Sequence, residues 1–193
     1  MRENIRRFTV AAAIGVLGLA STGCGDDDSD SGSADKLADN EVEHDLTVTS
    51  TSFAEGEAIP AQFTCDGANT QPQLAWEGVP DDAKELAVVV DDPDAGGGTF
   101  VHWVLFGLDP SVTSLPEGGP LPDGARQAKN GAGNPAWMGP CPPAADDAHH
   151  YRFTVYALGE TLDADDGTDA SGVLQDISDG AVARGTLTAT FDH

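Results

Sequence analysis

The chain has 193 residues, with 33 Asp and Glu against nine Lys and Arg, and a formal charge of −24 at neutral pH. Those numbers argue against a nucleic-acid partner, because phosphate contacts need a basic face. They argue equally against adsorption to anionic lipid through surface charge alone.

Arg2, Arg6 and Arg7 precede a thirteen-residue apolar run from Phe8 to Ala20. The run is short for a permanent membrane helix. A charged start and an apolar core are the pattern of an export signal, here residues 1–23. Ser21-Thr22-Gly23-Cys24 follows, and a small residue before a cysteine resembles a lipoprotein cleavage site. Lipidation of Cys24 would then anchor the exported chain to the outside of the cytoplasmic membrane, although Ser21 stands where such boxes usually carry Leu. Arg6-Arg7-Phe8 loosely resembles a twin-arginine signal and leaves the export route open. Residues 24–44 hold Asp26-Asp27-Asp28 and a Ser/Gly/Asp stretch with little to bury, the composition of an acidic, flexible tether. Without residues 1–23 only six basic residues remain and the formal charge is −26. Salt screens self-repulsion of that size, so the acidity speaks to habitat and solubility.

Residues 45–193 suffice for one domain with one core. Leu46-Thr47-Val48-Thr49 alternates and reads as a first strand. Ile59 to Thr64 reads as a second extended segment, with Pro60 favouring an edge. Asp66-Gly67-Ala68-Asn69 is a turn, and Leu74-Ala75-Trp76 a short strand ended by Gly78-Val79-Pro80. Leu86 to Val90 is continuously apolar and β-branched, as in a central strand buried on both faces. Phe100 to Leu108 is another strand, interrupted by His102. Residues 109–143 are rich in Gly and Pro but hold Trp137, Met138 and Cys141, which favours an ordered loop. Tyr151 to Leu158 reads as a core strand, Asp169 to Val182 as a helix with a rough apolar face, and Thr186 to Phe191 as a terminal strand. The domain is therefore mainly β with few helices. Cys65 and Cys141 are the cysteines left beside Cys24, and in an exported chain an even pair is more often a disulfide than a metal site.

The chemistry concentrates in four places. Asp92 and Asp94 follow the central strand with Pro93 fixing the backbone between them. His102 lies in the next strand. Gly139, Pro140 and Pro142 belong to Gly139-Pro140-Cys141-Pro142-Pro143, a rigid wall with free carbonyls. His149 and Tyr151 are two apart and face one side of a strand, while His150 faces the other. If the strand ends are neighbours, Asp92, His102, His149 and Tyr151 surround one small cavity. Imidazole and phenol groups can donate hydrogen bonds to anionic oxygens, and a nearby carboxylate orients a histidine and raises its pKa. That points to a small anionic ligand. Two His and two Asp could instead hold a metal, but no short His or Cys ligand repeat supports one. A hydrolase needs a nucleophile beside a base, and no Gly-x-Ser-x-Gly stretch exists. Neither metal nor cofactor is expected, and the domain reads as non-enzymatic. Each histidine alone could equally be a satisfied strand-end residue.

Taken together, Phe63-Thr64-Cys65-Asp66-Gly67, Leu74-Ala75-Trp76 with Gly78-Val79-Pro80, Asp92-Pro93-Asp94-Ala95, His102-Trp103, Gly139 to Pro143, and His149 through Tyr151 into Leu158 resemble the phosphatidylethanolamine-binding protein family, in its bacterial and archaeal Raf kinase inhibitor-like branch. The resemblance covers about residues 45–192. It implies a β-sandwich with a large central sheet, a smaller sheet and few peripheral helices. It also implies a pocket for phosphate or a phospholipid headgroup, built from Asp92, Asp94, His102, Gly139 to Pro143, His149 and Tyr151. Cysteines matching Cys65 and Cys141 recur in bacterial members, which strengthens the disulfide reading. Two departures bear on the pocket. Gly96-Gly97-Gly98 replaces the proline that usually follows Asp-Pro-Asp-Ala, and Asp146-Asp147 adds two carboxylates near the mouth. Some family members inhibit kinases or proteases, so inhibition of an extracytoplasmic enzyme is the alternative role. An exported domain would not meet a cytoplasmic kinase.

Overall fold

The computed structural model describes Leu37 and residues 42–193. The export signal, Cys24 and most of the expected tether lie outside the described residues. Nine strands are described: β1 (His44–Asp45), β2 (Thr47–Thr49), β3 (Leu74–Glu77), β4 (Glu85–Asp92), β5 (Phe100–Leu108), β6 (Ser114–Leu115), β7 (Arg126–Ala128), β8 (His149–Leu158) and β9 (Ala181–Phe191). One α-helix, α1 (Ala170–Gly180), and a 3-10 turn at Ala61–Phe63 complete the described elements. The large sheet runs β1-β9-β8-β4-β5-β7 and the small one β2-β3-β6. Only β1 pairs in parallel, with β9; the other pairs are antiparallel. This is the mainly β, two-sheet architecture expected from the sequence.

β4 explains its own composition. It lies between β8 and β5, and all eight of its residues are buried. Leu86, Val88 and Val90 face the small sheet, meeting a core that includes Trp76, Phe153 and Leu187. Ala87 and Val89 face the other way, onto Val173, Leu174 and Ile177 of α1. A strand covered on both faces has no polar side to present, hence the unbroken apolar run. Each buried Leu or Val among them contributes about 1.5–3 kcal/mol.

Several expectations are corrected. Ile59 to Thr64 does not continue as a strand. Ala58 makes a single bridge to Thr190, and the chain then turns into the 3-10 helix at Ala61–Phe63. Pro60 precedes that turn with φ −59°, and its ring removes the donor a strand would need. A side chain at Gly67 would strike the Ala61 carbonyl at 2.2 Å, so this turn packs tightly on itself. The 109–143 stretch is ordered but is not all loop, since β6 and β7 each add a short edge. β9 starts at Ala181, directly after α1, five residues before the alternation made it legible. Leu37 falls within the expected tether, yet it is buried among the α1-side apolar residues and its carbonyl accepts a 2.6 Å hydrogen bond from Arg184 Nη1.

Candidate functional site

The last two residues of β4 are both acidic and both buried, and strand alternation sends them to opposite faces. Asp91 faces the α1 side, where both its oxygens are held by Arg152 at 2.7 and 2.9 Å. Asp92 faces the inter-sheet side. Asp91 stands opposite Arg152 in β8, which sets His149 diagonally from Asp92 on the same face, within reach across the strands. Asp92 Oδ2 lies 2.7 Å from His149 Nδ1, and its Oδ1 accepts from the Asp94 amide at 2.9 Å.

His102 reaches this cluster through a bulge. Val90 pairs with Trp103 and Asp91 with Val101, so His102 is the extra residue on β5. A bulge bends its strand locally and re-aims a side chain. Here it brings His102 onto the face of its neighbour Trp103, with its ring edge-on to Tyr151 at 5.2 Å and to Phe100 at 4.9 Å. His102 Nδ1 lies 2.7 Å from the Met138 carbonyl, and the Met138 amide returns a bond to the His102 carbonyl at 3.2 Å. With Nδ1–H donated to Met138, the neutral ring presents Nε2 as an acceptor.

The wall is fixed by neighbours rather than by its prolines alone. The Gly139 amide donates to Asn69 Oδ1 at 2.8 Å, and a Cβ on Gly139 would lie 2.2 Å from the Phe63 carbonyl oxygen. One of the carbonyls expected to be free is already used, since Pro140 accepts from the Cys65 amide at 3.0 Å, and the Met138 carbonyl just before the segment is held by His102. Pro140 and Pro142 are both buried. Cys65 and Cys141 are joined by a disulfide across a separation of 76 residues, which contributes ~4 kcal/mol on the chain-entropy account.

The electrostatics differ from group to group. Burial pushes the His102 pKa down, with the Met138 carbonyl and the Asp92 charge only partly opposing it. His149 moves up, chiefly through its hydrogen bond to Asp92. Burial, and then the Asp92 charge, pushes the Tyr151 phenol well above its ordinary value. The Tyr151 hydroxyl is fully buried and makes no hydrogen bond of full geometry, although the Asp92 carboxylate is close enough to raise its pKa.

The structure therefore gathers Asp92, His102, His149 and Tyr151, with Gly139 beside His102, and Pro140 and Pro142 are buried in the segment that follows it. Asp94 stands apart from them, on the rim. Its carboxylate accepts from the His150 amide at 2.8 Å and lies 2.7 Å from His150 Nδ1, which lowers the Asp94 pKa. His150 faces outward, as its position next to His149 requires. On the solvent side of His149, that residue lines an open cleft of about 470 Å³ with Asp94, Asp146, Asp147 and His150, and Asp146 Oδ2 comes within 3.7 Å of His149 Nε2. Met138 and Asn69 were not anticipated. A backbone carbonyl carries no residue-type signal, and Asn69 reads only as a turn residue.

A family model described as phosphatidylethanolamine-binding protein matches residues 49–192. A Mycobacterium tuberculosis protein named "Putative lipoprotein LppC" is 38% identical, covering 100% of both chains. Among solved structures, Escherichia coli YbcL superposes with a TM-score of 0.73 at 34% identity, over 77% of this chain and 98% of that one. The Chlamydia trachomatis homologue CT736 gives 0.71 at 32%, over 78% and 99%.

Proposed function

The chain belongs to the phosphatidylethanolamine-binding protein family, and from that premise we propose that it is a non-enzymatic binding protein, lipid-anchored outside the cytoplasmic membrane, whose pocket takes a small anionic or phospho-headgroup ligand. Residues 1–23 are the export signal, Cys24 carries the lipid, and the acidic segment after it spaces the domain from the membrane. The relative named as a lipoprotein aligns over the whole chain, leader included, which supports that address.

One observation supports the ligand reading: the buried Tyr151 hydroxyl, beside His102 and Asp92, makes no hydrogen bond of full geometry to either. An unpaired buried donor costs about 1–3 kcal/mol, and a ligand oxygen relieves that cost. A ligand oxyanion would accept from Tyr151 and from a protonated His102. Both Asp92 oxygens already accept bonds, from His149 and from the Asp94 amide, which blunts the repulsion Asp92 would otherwise exert. The four side chains include no Ser, Thr or Cys nucleophile beside a base, which favours recognition over turnover.

NMR titration with inorganic phosphate and with phosphorylethanolamine at matched salt tests the proposal. Saturable shifts at His102, His149 and Tyr151 are expected. Shifts that never saturate, or that fall elsewhere, would end it. Capture of an extracytoplasmic enzyme that survives His102→Ala would instead favour the inhibitor role.

A further inference from the structure

The disulfide has a third neighbour. His193 Nε2 lies 3.9 Å from Cys65 Sγ, and ligand atoms of Cys65, Cys141 and His193 all fall within 4.8 Å of one another. On the far side of the imidazole, Nδ1 lies 3.4 Å from Asp66 Oδ1. At 3.4 Å this is an ion-pair contact rather than a short hydrogen bond, and a carboxylate on that side of a histidine favours the tautomer that leaves Nε2 for a metal. We propose that Cys65, Cys141 and His193 form a redox-gated site, a disulfide when oxidised and a two-thiolate, one-imidazole site for Zn²⁺ when reduced, with Asp66 orienting the imidazole.

The geometry needs little rearrangement. With Zn–S near 2.3 Å and Zn–N near 2.0–2.1 Å, tetrahedral ligand atoms stand about 3.5–3.8 Å apart. The His193 nitrogen is already near that distance from Cys65. The sulfurs must separate to about 3.8 Å, which side-chain rotation supplies while the Cα atoms stay near their present 5.4 Å. The two cysteine-bearing segments also do not rely on the covalent bond to stay together. The Cys65 amide donates to the Pro140 carbonyl, and the Gly139 amide donates to Asn69. These bonds keep both thiols in place after reduction. Phe191 packs against the His193 ring at 5.8 Å and helps hold it there. Two sulfurs and one nitrogen suit a borderline-soft cation and leave one coordination position to solvent.

The chemistry balances with a dithiol as reductant. The dithiol gives two electrons and two protons to the Cys65–Cys141 bond and itself closes to a disulfide. The two protein thiols then release their protons to solvent as the cation binds, replacing S–H by S–Zn.

The test uses the purified full chain, either oxidised or reduced and freed of reductant without air, titrated with Co²⁺ as a spectroscopic probe and then with Zn²⁺. A sulfur-to-cobalt charge-transfer band with one-to-one stoichiometry is expected only in the reduced chain, and Zn²⁺ should displace it. Asp66→Asn should weaken binding roughly tenfold, and His193→Ala should weaken it more. Equal binding by the oxidised chain, no band in the reduced chain, or a band indifferent to His193→Ala would each overturn the proposal. So would a reduced chain whose near-ultraviolet dichroism is lost and not restored by the cation, because the site described belongs to the folded domain.

Discussion

His149 Nδ1 and Asp92 Oδ2 stand 2.7 Å apart, bringing together residues 57 positions apart in sequence with both side chains less than a tenth exposed. The bond favours the charged imidazolium, so its stabilisation is fully present below the ordinary histidine pKa of 6.5 and is lost as pH rises through the raised value. His102 has the opposite sign. Burial holds its pKa down, so the fold loses stability as pH falls below 6.5 toward the lowered value. Melting temperatures of the wild type and Asp92→Asn, followed from about pH 5 to 9, separate the two. Asp92→Asn should cost about 1.5–3 kcal/mol near neutrality. It should also flatten the alkaline decline while keeping the acid one. An unchanged alkaline decline would mean that the pair does not control it.

Tyr151→Phe separates folding from binding. The hydroxyl it removes is buried and makes no hydrogen bond of full geometry, with Asp92 its charged neighbour, so its loss should leave stability unchanged within about 1 kcal/mol, or raise it. Affinity for phosphate should fall by about 1.5–3 kcal/mol, roughly ten- to a hundredfold, if an oxyanion accepts this donor. Calorimetry alongside thermal melting gives both numbers. Equal affinity in the two proteins would remove Tyr151 from the ligand's contacts.

Anion binding should take up a proton at His102. Its Nδ1–H is committed to the Met138 carbonyl and its pKa is held down, so the resting ring offers Nε2 as an acceptor, the wrong polarity for an oxyanion. Protonating Nε2 converts it into a donor. Sulfate keeps its charge across the histidine range and serves as the probe. Its affinity should weaken as pH rises, approaching a tenfold loss per pH unit. His102→Asn should be weaker at low pH and lose most of that slope. A pH-independent sulfate affinity in the wild type would show that the ring binds in its neutral form.

Gly139 should tolerate no side chain. The Phe63 carbonyl oxygen at 2.2 Å from an added Cβ is backbone and cannot rotate away, and Asn69 Oδ1 would lie at 2.5 Å. Gly139→Ala should destabilise the domain by about 1–3 kcal/mol. It should also displace the carbonyl that holds His102, so sulfate affinity falls with stability. Denaturant unfolding checks the first effect, and a midpoint within error of the wild type would mean that the wall can shift.

The residues of this site were legible in the sequence, but the way they are aimed was less so. Asp92, His149 and Tyr151 follow from period-two alternation once β4 and β8 are neighbours. His102 does not, because one extra residue in β5 changes its facing, and that depends on register against a partner strand. Met138 acts through a carbonyl that every residue possesses. Asp94 is adjacent to the site in sequence, yet on the rim its carboxylate turns to His150. Of the fold, β4 and β5 were plain from continuous apolar composition. The 3-10 turn after Pro60 was not, since Ile59 to Thr64 has the residue types of an edge strand. Leu37 was hidden for a different reason: one buried Leu in an acidic stretch makes no pattern.

Asp146 and Asp147 line the cleft beside His149, and their effect on anion affinity has a definite sign. Asp146 lies 3.7 Å from His149 Nε2 with its side chain about half exposed, and Asp147 shares the cleft. If an anion reaches the cluster past His149 it meets both, and both are exposed, so salt screens them. Asp146→Asn with Asp147→Asn should therefore raise sulfate affinity severalfold at low ionic strength. The gain should shrink as salt rises toward about 1 M, where the Debye length falls to about 3 Å. Losing Asp146 also removes one of the carboxylates that raise the His149 pKa, so part of the gain should be returned just above pH 6.5, where the wild-type imidazole keeps more of its charge than the variant's. Calorimetric titrations at two salt concentrations and two pH values resolve these contributions. A double variant that binds sulfate no better than the wild type at low salt would mean that the mouth acids lie off the ligand's path, and that Asp92 sets the affinity.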